Sequence, residues 1–345
     1  MSKRAILLFN LGGPDRPEAV EPFLFNLFND PAIIGAPGPI RYLIARLISK
    51  RRAPIAQEIY QHLGGGSPLL PNTEAQARAL EAALGQPDEE TRCFIAMRYW
   101  HPRADQVARE IAAWKPDRLV LVPLYPQFSK TTSGSSLKEW QKAADAIGLK
   151  LPTTTLCCWP EEAGLIAATT ELLAETHAKA LEFGTPRVLF SAHGLPKKVI
   201  KSGDPYQYQV EKTAAAVAEA LAIPQLDWLV SYQSRVGPLE WIGPATDTEI
   251  KRAGADKVPL IVCPIAFVSD HSETLVELDI EYRHLADEEG VPAYFRVPTV
   301  STHPKFIDGL ARAIAAQDRR GGLSCEGGGR LCPAQFSQCP AKLSA

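Results

Sequence analysis

Short apolar runs alternate along nearly the whole chain with stretches in which apolar residues recur every three or four positions. The runs at 5–9, 93–97, 119–123, 153–156, 188–192, 228–232, 259–264 and 293–297 predict strands buried on both faces. Helical patterns at 73–84, 103–114, 162–181, 206–221, 272–289 and 304–316 fall between them. Strand, helix, strand order predicts parallel sheets wrapped by helices. The expected fold is therefore α/β, with two similar Rossmann-like, doubly wound halves of four-stranded parallel sheets at 1–158 and 159–316, then a tail at 317–345. In such sheets ligands meet the carboxyl ends of strands, so the residues just after each run matter most.

A chain of 345 residues is long enough for two cores. Its net charge of -2 gives no global electrostatic reason to bind nucleic acid. The 29 prolines and 24 glycines are spread through the chain, which implies defined turns. The apolar run before Asn10 is too short for a secretory signal, and no stretch reaches the roughly 18 apolar residues of a membrane span. The expected setting is cytoplasmic, where seven cysteines read as metal ligands or buried thiols rather than disulfide partners. No G-x-G-x-x-G follows a strand, and neither a P-loop nor a G-x-S-x-G elbow exists. Nucleotide binding and serine hydrolysis lose their support.

Four constellations remain. Ser191-Ala-His193-Gly194-Leu-Pro196 directly follows a strand, where an imidazole of ordinary pKa near 6.5 suits proton transfer; a histidine bonded to loop backbone is the bland alternative. Asp270-His271-Ser-Glu273 opens a helix that carries Glu273, Glu277 and Glu281 at four-residue steps. Like charges so spaced repel, which makes a compensating cation attractive, and carboxylates with imidazole suit iron. A solvated acidic face is the alternative. Cys325, Cys332 and Cys339 lie at equal spacing in a glycine-rich tail with little apolar material, so iron-sulfur or zinc ligation would order it, with Cys157 or Cys158 as a fourth ligand. Finally, 40–48 pairs apolar residues at i, i+3, i+4, i+7 and i+8 with a basic flank, which fits a helix on an anionic membrane or apolar ligand, or one facing a core.

Together these features resemble the ferrochelatase family, of the bacterial type with a cysteine-rich tail. The matching stretches include LFNLGGPDRPEAVEPFLFNLFND, YQHLGGGSP, AMRYWHP, LVPLYPQFSKTTSGSS, FSAHGLP, SYQSRVGPLEWIGP and CPIAFVSDHSETLVELDIEY, in order from about residue 5 to 316. The resemblance implies a chelatase fold and a lyase that inserts ferrous iron into protoporphyrin IX, the last step of haem biosynthesis. Coproporphyrin III as substrate, or a haem carrier without catalysis, are the alternatives.

It also implies roles. His193 accepts protons or guides the metal, Glu273 is its ligand or acid-base partner, and Asp270 and His271 orient the pair. Glu277 and Glu281 form a metal or proton ladder on a widened helix. Arg98, Tyr99, Tyr60, Ser67, Gln233, Arg235 and Trp241 match substrate-binding positions. The lip at about 31–52 admits the porphyrin and implies peripheral contact with the inner face of the cytoplasmic membrane. A 2Fe-2S cluster is implied in the tail. Lys130 stands where animal-type members place an internal cysteine, so Cys158 is preferred over Cys157 beside Cys325, Cys332 and Cys339. Cys93 and Cys263 are expected to be buried thiols. The oligomeric state stays open, a homodimer included.

Overall fold

The computed structural model describes residues 2–235 and 239–341. Val236 to Pro238, inside SYQSRVGPLEWIGP, and 342–345 of the tail lie outside them. The nine strands are β1 (Ser2–Asn10), β2 (Glu89–Met97), β3 (Arg118–Pro123), β4 (Thr153–Leu156), β5 (Arg187–His193), β6 (Trp228–Gln233), β7 (Leu260–Pro264), β8 (Tyr294–Arg296) and β9 (Leu323–Ser324). Two compact units divide the chain. The first holds residues up to Tyr125, Ser129–Cys158 and Ile314–Gly328; the second holds Pro126–Phe128, Trp159–Ala313 and residues from Gly329 onward.

The first unit contains a parallel sheet in the order β2-β1-β3-β4-β9. It has five strands rather than the expected four, because Leu323–Ser324 pairs with Thr155 and Leu156. A two-residue strand has no period to read, which is why the sequence pattern misses it. Ala5, Leu7 and Phe9 pack with Phe94, Val107, Ile111 and Trp140 on one face of this sheet.

The second unit contains a parallel sheet in the order β6-β5-β7-β8. Successive residues of β5 point to opposite faces. Val188, Phe190 and Ala192 join Val210, Ala214 and Val217, whereas Leu189 joins Ile250, Ala253 and Leu278. Helices cover both faces, so the strands can be apolar throughout. The chain leaves β5 for β6 on one side and then returns to β7 on the other. The carboxyl end of β5 is therefore a topological switch point, where such sheets hold ligands.

The expected helix at 272–289 is a π-helix over Glu273–Glu281, followed by an α-helix over Tyr282–Glu288. This agrees with the widened helix that the resemblance implied, and π-turns mark functional sites. The helix Gly38–Gln61 contains the amphipathic segment, but its core-facing reading is corrected. Ala45, Ser49 and Ala53 are buried, while Ile40, Leu43 and Leu47 are exposed. Small residues permit close packing on the inner side and leave the large apolar ones outside. Among the described residues no helix is long and apolar enough to cross a membrane.

Candidate active site

In the second unit, β5 delivers His193 to the switch point, and Gly194 lets the chain pass closely beyond it. Its N–H donates to the Gln233 carbonyl oxygen at 2.9 Å, and a Cβ there would stand 2.8 Å from that oxygen. The Tyr206 hydroxyl donates to the His193 carbonyl at 3.1 Å. Strand β6 ends in Gln233, and Ser234 after it takes φ +60°, a left-handed conformation that a non-glycine residue adopts at some cost.

These groups form a string of hydrogen bonds. His193 Nδ1 lies 2.8 Å from Glu273 Oε2, which also accepts from Ser234 Oγ at 3.2 Å. Ser234 Oγ makes a short bond to Glu277 Oε2, and its backbone N–H donates to Glu277 Oε1 at 2.8 Å. Tyr282 donates to that same oxygen at 3.1 Å. The Gln233 amide lies 3.5 and 3.4 Å from the two carboxylates, and its own oxygen accepts from Ser191 Oγ at 2.7 Å. An ionised carboxylate can only accept, so the acids fix the amide N–H end toward themselves and leave its oxygen for Ser191.

The environment pushes the two carboxylates apart. Burial alone would raise Glu273, but the His193 charge and hydrogen bond, then His271 and Ser234, hold it down at about 2. Glu277 is raised by burial and by the Glu273 charge, only partly offset by Ser234. Burial opposes protonation of His193, yet Glu273 more than compensates and its pKa lies above the usual 6.5. Burial lowers His271, whose Nδ1 lies 3.2 Å from the Ser269 carbonyl, so Nδ1 carries the proton of the neutral ring. Its Nε2 stands 4.0 Å from Glu273 Oε1. One acid kept ionised and its neighbour poised to hold a proton are the ingredients of acid-base work.

Other expected residues fall elsewhere. Asp270 pairs with Arg296 at 2.9 Å, and Arg296 grips Asp279 at 2.8 and 2.6 Å, so Asp270 ties the loop to the π-helix. Glu281 is exposed, which leaves Glu273 and Glu277 as the joined members of the ladder. Trp241 bridges Pro196 in the His193 loop. Arg235 is exposed, 3.6 Å from Asp247. Among the described residues, the one group with three His, Cys or carboxylate ligand atoms within 4.8 Å is a set of thiols, so the imidazole and acids form no closed three-ligand cage.

In the first unit, Arg98 and Tyr99 are bound up with a residue the sequence did not flag. Asp30 Oδ2 accepts from Arg98 at 2.8 Å, Tyr99 at 2.8 Å and Ser135. Burial first, then Asp30, pushes Tyr99 well above its ordinary range, so it acts as a neutral donor. Tyr60 is buried in an apolar cluster with Tyr99, and the Ser67 N–H donates to the Pro14 carbonyl.

The thiols fall in two groups. Cys157 Sγ lies 3.7 Å from both Cys158 Sγ and Cys325 Sγ in the first unit, and all three are buried. In the second unit the buried Cys332 and Cys339 are hydrogen-bonded through their side chains. Cys157 is thus as close to Cys325 as to the preferred Cys158. Cys263 is buried, which pushes its thiol up to about 12, but Cys93 is half-buried, contrary to expectation. Its strand leaves one side partly open.

Sequence reasoning missed Ser234, Tyr206, Tyr282, Arg296 and Asp30. Ser234 had a readable signal, because it directly follows an apolar run.

A doubly wound parallel sheet with an imidazole and paired acids at its switch point fits the class of metal chelatases. The solved structure of SirB from Bacillus subtilis with Fe3+ superposes with a TM-score of 0.52 at 10% identity, covering 92% of this chain and 96% of that one. The cobalt complex of the sirohydrochlorin chelatase SirB from Bacillus subtilis subspecies spizizenii gives 0.50 at 10% identity, covering 93% and 97%. These show the fold. Residues 3–318 match the family model described as Ferrochelatase. A ferrochelatase of Caulobacter vibrioides is 57% identical over 99% of both chains, and one of Phenylobacterium zucineum is 56% identical over 99% of this chain and 98% of that one. The chain belongs to the ferrochelatase family. It is a lyase-class chelatase that inserts iron into porphyrin in haem synthesis.

Proposed function

We propose that His193 and Glu273 carry the insertion of ferrous iron into protoporphyrin IX. The two pyrrolic protons must leave as the divalent ion enters, so the enzyme needs a base with a path away from it. With Nδ1 held by Glu273 and the side chain 39% exposed, Nε2 of His193 is the atom that takes a pyrrolic proton. The proton on Nδ1 passes to Glu273. Ser234 donates to one acid while accepting from the other, so the proton moves on to Glu277, whose raised pKa retains it; Tyr282 donates to Glu277, and the exposed Glu281 stands further along the same helix. Asp270 acts through Arg296, and His271 borders the pair with its Nε2 4.0 Å from Glu273 Oε1.

Gln233, Arg235 and Trp241 supply the polar and ring contacts for the macrocycle, with Tyr60, Ser67, Arg98 and Tyr99 on the first unit. The exposed Ile40, Leu43 and Leu47 favour protoporphyrin over the more polar coproporphyrin III. With Arg46, Lys50, Arg51 and Arg52 alongside, they support peripheral contact with the inner, anionic face of the cytoplasmic membrane. The single observation that carries this reading is the 2.8 Å contact between His193 and Glu273. The test is metal insertion measured separately from porphyrin affinity in His193→Ala and Glu273→Gln. Lost insertion with retained affinity supports it; unchanged insertion rejects it.

The buried thiols also fit a 2Fe-2S cluster, since thiolates are soft donors and two of the proposed ligands, Cys158 and Cys325, lie with Cys157 in a group whose sulfurs are within 4.8 Å of one another. Cys325, Cys332 and Cys339 with Cys158 are the proposed ligands, and Cys157 is the spare neighbour. When bound, the cluster would supply a structural or sensing role.

A further inference from the structure

The helix Tyr206–Leu221 carries a buried polar side chain that the chemistry at His193 does not use. Gln209 is 1% exposed, and its Oε1 accepts the backbone N–H of Phe128 at 2.7 Å. Its Nε2 lies 3.0 Å from the Sγ of Cys332. The Phe128 N–H can only donate, so flipping the amide would set donor against donor. The backbone thus fixes the polarity of the contact, and the sulfur must accept. Arg330 encloses the same loop, donating to the carbonyls of Cys332 at 2.9 Å, Pro333 at 3.1 Å, Phe336 at 2.8 Å and Ala341 at 3.3 Å.

A neutral buried thiol packs as a small hydrophobe and needs no donor fixed in place against it. A thiolate that ligates a metal does, because hydrogen bonds to cluster sulfurs help set reduction potential and outer groups orient the ligands. We infer that Gln209 is a positioning residue for an iron-sulfur ligand: its amide N–H holds Cys332 as a thiolate acceptor, raises the cluster's reduction potential and slows its loss. This rests on the 2Fe-2S reading above. Gln209 itself touches neither porphyrin nor substrate iron.

The test uses the full chain purified without oxygen, as wild type, Gln209→Met and Gln209→Glu. Iron and acid-labile sulfide are assayed, the midpoint potential is titrated by visible absorption, and cluster loss to an iron chelator is timed. Gln209→Met removes the donor, so its potential should be more negative and its cluster loss faster by about 10- to 100-fold. Gln209→Glu keeps an oxygen for Phe128 but has a donor only when its carboxyl is protonated. Its potential should match wild type at low pH and fall as pH rises, in excess of any change in wild type. If Gln209→Met does not fold, Gln209→Glu decides alone. Potentials and loss rates equal to wild type in every folded variant overturn this inference and leave the cluster standing. A wild-type chain without iron and sulfide overturns both.

Discussion

Replacing Glu273 by Gln keeps the size of the side chain and one acceptor oxygen but removes the charge that His193 faces. Holding a carboxyl at about 2 instead of the usual 4.5 corresponds to about 3 kcal/mol of preference for the ionised form. Coulomb's law agrees in scale, giving about 4 kcal/mol for unit charges about 4 Å apart at an effective dielectric near 20. The His193 side chain is 39% exposed, and solvent screening reduces the share that belongs to the pair to about 2 kcal/mol. His193 is raised in the folded protein, so its share of stability is fully present below pH 6.5 and fades as pH rises through its higher folded value. Glu273 is lowered, so its share is present above pH 4.5 and fades as pH falls through about 2. Glu273→Gln should therefore be less stable than wild type by about 2 kcal/mol near pH 5 to 6, and the gap should close at both ends. Urea unfolding across that range measures it. In the same variant the His193 resonances, followed by NMR, should titrate at lower pH, and iron insertion should fall by about 10²- to 10⁴-fold with porphyrin affinity little changed. An unshifted His193 titration, or insertion at the wild-type rate, would refute the reasoning.

Ser234→Ala deprives Glu277 of its closest side-chain contact and of its link to Glu273 while the backbone bond stays, so burial and the Glu273 charge push Glu277 higher. The acid limb of the pH-rate profile should move to higher pH and kcat should fall by about tenfold, as measured by porphyrin metallation from pH 5 to 9. Cys325→Ser should lower iron and sulfide content to background while leaving porphyrin affinity intact, which elemental analysis and fluorescence titration check. Leu43 is 67% exposed, and charging it together with Leu47, as Leu43→Glu and Leu47→Glu, should lower binding to anionic vesicles by about tenfold or more in co-sedimentation, without lowering the melting temperature.

Where the sequence was legible, the reason was periodicity. All eight runs are strands: most carry the near-continuous apolar signature of strands buried on both faces, and Thr153–Leu156 is legible through its β-branched threonines. The placement of His193 followed from the same logic, since a strand-end residue before Gly-Leu-Pro has nowhere to go but the sheet's carboxyl edge. The acids were legible as a charge run but not as a pair. Their four-residue spacing suggested a ladder of three equal rungs, whereas the π-helix and Ser234 join Glu273 to Glu277 and leave Glu281 at the surface. Neither a left-handed Ser234 nor the wider helical turn has a hydropathy signature, because both are set by tertiary hydrogen bonds.

The basic, apolar helix shows the opposite failure. Its stripe was clear, but a stripe does not say which way it faces, and both directions satisfy the same period. What decides is the residue size on the other side: Ala45, Ser49 and Ala53 fit against a neighbouring helix, and Leu43 and Leu47 do not. Arg98 and Tyr99 were legible as polar residues after a strand, yet three donors converging on Asp30 give them a job within the fold. A polar residue at a strand end is thus a site marker only when its polar atoms are left for a ligand. His193 meets that condition through Nε2. Arg98 meets it in part, because Asp30 and Ser135 take one N–H each and its guanidinium has three more, so both Arg98→Lys and Asp30→Asn should weaken porphyrin affinity in a fluorescence titration.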